Sequence, residues 1–147
     1  MILTELSLAD GFAALNRGDL ATAGEACKQA LAANQKHVPA HFLVGLVALE
    51  GKQRQVAHEA FKSVVTLDRD HAAAWAHLAK LNVGEGRIAA AESALREVRR
   101  IQPSDPMVIE LTGTVLNSLG EYEAAELFFE RARQMVCLLY TSPSPRD

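Results

Sequence analysis

Five histidines (His37, His41, His58, His71 and His77) and two cysteines (Cys27 and Cys137) are the side chains best suited to metal ligation or nucleophilic chemistry. A protein zinc site draws three or four such ligands from short, characteristic spacings. His37 and His41 have helical spacing, but His37 precedes the predicted helix, no HExxH run is present, and no cysteine pair supports a site. His37 and His71 share one position in a longer pattern and read as solvated loop residues. A Ser/His/Asp or Cys/His arrangement could be drawn only from scattered positions that nothing local ties together. Gly84-Glu85-Gly86 reads as a turn and not as a phosphate-cradling loop. Arg87, Arg96, Arg99, Arg100, Arg131 and Arg133 are interleaved with Glu92, Glu97, Glu126 and Glu130, the mark of mixed, solvated helix faces. The expectation is no catalytic residue, no metal and no cofactor in the residues present.

The elements that would carry these side chains follow from a period. Ala23, Ala57, Ala91 and Ala125 recur at one constant step of thirty-four, without insertion. The same step links Gly11, Gly45, Ala79 and Gly113, all small, and Cys27, Phe61, Leu95 and Phe129, all able to fill a core. Ala30, Val64, Val98 and Ala132 make a fourth register. Such self-similarity is the signature of a stacked repeat, in which each unit buries its apolar face only against its neighbours. Apolar residues at helical spacing predict two amphipathic helices per unit. The eight helices are expected near residues 5–17, 20–33, 38–51, 54–67, 72–84, 88–101, 106–119 and 122–136. Pro103 stops the sixth, and Asp105-Pro106 supplies a cap and first position for the seventh. Small residues let paired helices approach closely, as at Gly45 with Ala57 and Gly113 with Ala125.

Composition limits the function classes. The 147 residues are 49% hydrophobic, and fifteen basic side chains against eighteen acidic ones leave a net charge of −3. Nucleic-acid binding through bulk electrostatics wants a basic excess, which is missing. No apolar run is long enough to span a bilayer, and Glu5 and Asp10 interrupt any signal-like start. A cytoplasmic protein with no membrane or nucleic-acid partner is the expectation. Cys27, at a core register, reads as a small buried hydrophobe.

In the third unit Trp75, Leu78, Ala79, Gly86, Ala91, Leu95, Val98 and Pro103, and in the fourth Gly113, Gly120, Tyr122, Ala125, Phe129 and Ala132, resemble tetratricopeptide repeats at the family's positions. The resemblance implies an all-α, right-handed α-solenoid of four helix-turn-helix repeats, at 4–37, 38–71, 72–105 and 106–136. Asp10 stands where an apolar residue is usual, Lys52 replaces a turn glycine, and Gln35 and Arg69 replace the closing proline. In the family the first helix of each repeat lines a concave, partner-binding face. Transferred position by position, that rule selects Glu5, Leu8, Ala9 and Phe12 in the first repeat. It selects Phe42, Leu43, Leu46, Leu49 and Glu50 in the second, and Ala73, Ala76, His77 and Lys80 in the third. Met107, Glu110, Leu111, Thr114, Asn117 and Ser118 complete it in the fourth. The carboxylate clamp of chaperone-binding members has no match beyond Lys80 and Asn117. An apolar groove of this kind suits a peptide or amphipathic helix from a partner protein.

After Val136 the pattern ends, and residues 137–147 (Cys-Leu-Leu-Tyr-Thr-Ser-Pro-Ser-Pro-Arg-Asp) resemble the translation of a widely used transposase sequencing adaptor. They are expected to be a disordered, non-native tail on a C-terminally truncated array. The uncapped last repeat is then expected to promote self-association. An alternative expectation is that the repeats form the N-terminal arm of a larger bacterial enzyme, such as a sulfotransferase or glycosyltransferase, whose downstream domain would be the partner.

Overall fold

The computed structural model describes residues 6–140, and among these all regular structure is α-helical. The order is α1 (Leu8–Asn16), α2 (Leu20–Ala33), α3 (Val38–Glu50), α4 (Arg54–Leu67), α5 (Ala72–Gly84), α6 (Ile88–Ile101), α7 (Pro106–Ser118) and α8 (Tyr122–Tyr140). The chain divides into two compact units, Met1–Ala74 and Trp75–Asp147, with the boundary inside α5.

The turn inside each repeat closes the same way four times. Gly18, Lys52, Gly86 and Gly120 occupy one repeat position and all adopt positive φ, at 82°, 58°, 75° and 82°. The next residue's N–H then reaches back to the preceding helix: Asp19 to the Ala14 carbonyl, Gln53 to Ala48, Arg87 to Asn82 and Glu121 to Leu116, at 2.8–2.9 Å. These bonds satisfy carbonyls that a helix end would otherwise orphan. Lys52 is the outlier, because a side chain in the left-handed region crowds its own carbonyl. The turn forms with lysine there because the flanking helices pack.

The other departures from the expected repeat pattern have local replacements. Asp10 completes a capping box: its carboxylate accepts from the Ser7 N–H at 3.0 Å, and the Ser7 hydroxyl accepts from the Asp10 N–H at 3.1 Å. This places the start of α1 at Leu8, three residues later than periodicity suggests, while Glu5 lies outside the described residues. Where the repeat-closing proline is missing, Asn34 and Asp68 make Asx turns, accepting from Lys36 N–H at 3.0 Å and Asp70 N–H at 3.1 Å. Where Pro103 is present, Gln102 before it takes φ 55° instead.

In the first unit, α1 packs on α2 and α3, α2 on α3, and α3 on α4. Leu43 and Phe61 are fully buried. A methyl on Gly45 would lie 2.6 Å from the Phe61 ring, and one on Gly11 would lie 2.7 Å from Leu43 Cδ2. The glycines therefore make room for a ring and an isobutyl group; the close approach is helix to side chain. In the second unit Ala79, Ala94, Leu95, Val115, Leu116 and Ala125 form one core, with Trp75, Val83, Phe128 and Phe129 packed at its edge.

A second boundary departs from expectation. The helix expected to stop at Val136 continues through Tyr140, so residues 137–140 are helical and not disordered. No glycine or proline falls between Glu121 and Thr141, and extending a formed helix costs far less than starting one. The rest of the expected tail, 141–147, lies outside the described residues.

Candidate functional site

Helical geometry divides α1 and α3 into two faces. Gly11 and Ala14 on α1, and Ala40, Leu43, Gly45 and Ala48 on α3, are buried. Leu8, Phe12 and Leu15 on α1, and Phe42, Leu46 and Leu49 on α3, are half-buried. The two helices are in contact, and the six large apolar side chains pair across them at the repeat step, each with area left open. Leu15 belongs to this set although the family rule does not select it. It is the first-repeat equivalent of Leu49, so the repeat step itself could have found it, and the same step back from Asn117 finds half-buried Val83.

Two expected groove residues move to the core. Leu43 is fully buried, one position round the helix from Phe42, and its Cδ2 fills the space over Gly11. Ala76 is also fully buried. Each lies about 100° of helix from a half-buried neighbour, Phe42 or His77, enough to turn a side chain inward. Phe42 is only partly available. Its ring packs edge-on to Phe61, with centroids 5.6 Å apart and planes at 61°, and lies 4.7 Å from the His71 ring.

The second unit presents a different surface. Lys80, Met107, Glu110, Thr114, Asn117 and Ser118 are exposed, and His77 and Leu111 half-buried. The Thr114 hydroxyl donates to the Glu110 carbonyl at 3.1 Å and Ser118 to the Thr114 carbonyl at 3.0 Å. Both hydroxyl protons are thus committed to the helix backbone. A cleft of about 350 Å³ opens between α7 and α8, walled by Phe129, Ala132, Val136 and Cys137 with Glu110 and Arg133 at its rim. Beyond it α8 exposes Leu127 and Leu138, each 73% accessible.

The histidines read as loop residues have structural work instead. His37 and His71 are half-buried N-caps: Nδ1 of each accepts from the N–H three residues on, Ala40 at 3.3 Å and Ala74 at 3.2 Å. Asp105, at the same repeat position, caps α7 by accepting from Met107 N–H at 2.9 Å. His41 Nε2 lies 2.7 Å from the Gln35 carbonyl, to which it donates. Among the described residues no three His, Cys, Asp or Glu side chains converge as metal ligands would. Cys27 is 3% exposed, and burial pushes its thiol up to about 11. A thiol held neutral at physiological pH is a poor nucleophile. Arg100 pairs with Glu97 at 3.2 Å and Arg99 with Glu121 at 3.9 Å at the surface, while Arg96 donates to the Ser93 hydroxyl and Arg131 to the Pro103 carbonyl. No described helix is long and apolar enough to cross a membrane.

Comparison with known proteins agrees with this architecture. Residues 48–115 match the family model described as tetratricopeptide repeat. A crystal structure of MamA superposes with a TM-score of 0.66 at 20% identity, covering 87% of this chain and 75% of that one. A second MamA protein crystal structure gives 0.65 at 18%, covering 93% and 75%. The MamA RS-1 ArsTM double mutant gives 0.66 at 19%, covering 91% and 75%. Identity at this level establishes a shared fold, an all-α repeat solenoid. No curated protein matches the sequence.

Proposed function

We propose that this chain, a tetratricopeptide-repeat protein and hence a repeat scaffold for protein interaction, holds an apolar peptide or amphipathic helix along α1 and α3. The observation that carries this reading is the division of those two helices. Gly11 and Ala14 on α1 and Ala40, Leu43, Gly45 and Ala48 on α3 are closed, while Leu8, Phe12, Leu15, Phe42, Leu46 and Leu49 recur in register with area left to bury. Each such side chain is already half-buried, so covering it contributes about a third or less of the roughly 1.5–3 kcal/mol of full burial, before ordering costs. Phe12 and Leu46 are the preferred probes, since Phe42 also braces Phe61 and His71. No side chain on this face offers a nucleophile or a matched acid–base pair, so the proposed role is non-catalytic.

The test is peptide display selection against the full chain, followed by affinity measurement on a Phe12→Asp/Leu46→Asp double variant. Selected peptides should carry apolar residues at i, i+3, i+4 and i+7 and bind the variant at least tenfold more weakly, with its helicity unchanged. Equal binding to both forms would remove the groove from the account. A second surface supports self-association: Leu127 and Leu138 on α8 and Met107 on α7 are exposed, Met107 at 78%. Light scattering at rising concentration should show dimers or larger species, and a persistent monomer would contradict it.

A further inference from the structure

We propose that His71 is a protonation-sensitive latch that fastens the first turn of α5 to the first unit. The imidazole sits at the centre of a short chain of contacts. Its Nδ1 accepts the Ala74 N–H at 3.2 Å, so the ring proton resides on Nε2. Its backbone N–H donates to the Asp68 carbonyl at 3.3 Å. The ring lies 4.7 Å from Phe42 of α3 at a 42° tilt, and Phe42 packs edge-on to the buried Phe61 of α4. The His71 side chain thereby ties α5's first turn to α3 and, through Phe42, to α4, while its backbone N–H fixes the connecting loop, all within Met1–Ala74.

Protonation disrupts this arrangement in two ways. It puts a second N–H on Nδ1, facing the Ala74 donor, and it places a cation at the positive end of a helix dipole. Three influences act in the opposite sense. The Asp68 carboxylate and a backbone hydrogen bond favour the imidazolium, and so does the π cloud of the adjacent Phe42 ring, tilted 42° to the imidazole. Arg69 and Asp70 flank His71 in the loop with opposite charges. Burial outweighs these influences and holds the imidazole below its ordinary range. The native state thus binds fewer protons at His71 than the unfolded chain does. The cap's contribution is complete above the free-imidazole value of about 6.5 and is lost as pH falls below it. Asp105 caps α7 from the same repeat position with a carboxylate in place of an imidazole, so α7 has no histidine cap. His37 repeats the imidazole geometry at α3, which is why the readout must be specific to Ala74 and not global.

The experiment follows amide hydrogen exchange at Ala74 in the full chain at pH 7.5 and 5.0, as protection factors corrected for intrinsic chemistry. Nuclear magnetic resonance titration of the His71 ring accompanies it. Loss of a side-chain cap corresponds to roughly a two- to thirty-fold fall in protection at pH 5.0. His71→Asn keeps a capping oxygen with no titration and should show equal protection at both values. His71→Ala should be poorly protected at both. The proposal is overturned if wild-type Ala74 is equally protected at the two pH values. It is also overturned if the His71 ring titrates at or above a free imidazole, or if His71→Asn loses protection as the wild type does. None of these readings depends on what the groove binds.

Discussion

Gly45 and Gly113 occupy the same position in the second and fourth repeats, yet they should respond differently to the same substitution. At Gly45 an alanine methyl would lie 2.6 Å from two Phe61 ring atoms and 2.9 Å from a third. That ring is fully buried and braced by Phe42, so it cannot move aside. Overpacking of this kind costs about 1–3 kcal/mol, while replacing a mid-helix glycine returns roughly 0.5–1 kcal/mol. The net expectation for Gly45→Ala is destabilisation of about 0.5–2 kcal/mol. At Gly113 the nearest Phe129 ring atoms are 3.0–3.2 Å away, and that ring is half-buried beside the open α7–α8 cleft. It can shift by the few tenths of an ångström required. Helix propensity then balances or exceeds the strain, and Gly113→Ala should fall within roughly ±0.5 kcal/mol of wild type. Urea denaturation followed by circular dichroism gives both values, with midpoints compared because repeat arrays need not unfold in one step. If Gly45→Ala is as stable as wild type, or Gly113→Ala is the more damaging, the steric reasoning fails.

Lys52→Gly relieves a left-handed residue without disturbing a contact and should stabilise the chain by about 0.5–1 kcal/mol, read as a raised urea midpoint; an unchanged or lower midpoint would show that the turn carries no strain. Cys27, buried and held neutral to about pH 11, should resist alkylation in the native protein at pH 8, whereas exposed Cys137 reacts. Mass spectrometry should therefore find one modification per native chain and two after denaturation, and rapid double labelling would contradict the burial. Ser7→Ala removes the hydroxyl half of the α1 capping box and should cost about 1 kcal/mol, seen as faster amide exchange within α1 and little change in α7. Equal exchange in α1 of both forms would show that the cap is not holding the helix.

The repeat was legible because four registers must agree for helices to stack, and small residues opposite large ones leave a regular trace in the chain. Apart from α1, the helices begin where periodicity, turn residues and prolines place them. α1 begins late because a capping box is a local hydrogen-bond pattern that apolar spacing does not reveal. α8 runs on because Cys137-Leu138-Leu139-Tyr140 contains nothing that breaks a helix. The groove was partly legible. Leu8, Phe12, Leu46 and Leu49 are half-buried, with area open to a partner, whereas Leu43 and Ala76 are fully buried. A single helical step separates a groove residue from a core residue, and composition cannot distinguish two leucines on either side of it. The roles of His37 and His71 were hidden for another reason. Imidazole is an uncommon cap, and only coordinates show which nitrogen meets which amide.

The most direct test of the central claim is methyl nuclear magnetic resonance of the full chain during titration with a display-selected amphipathic peptide. Shifts concentrated at the methyl groups of Leu8, Leu15, Leu46 and Leu49, with Leu127 and Leu138 unmoved, are what a groove on α1 and α3 requires. Shifts centred on α8 that leave those four leucines unchanged would contradict it and move the binding surface to the second unit.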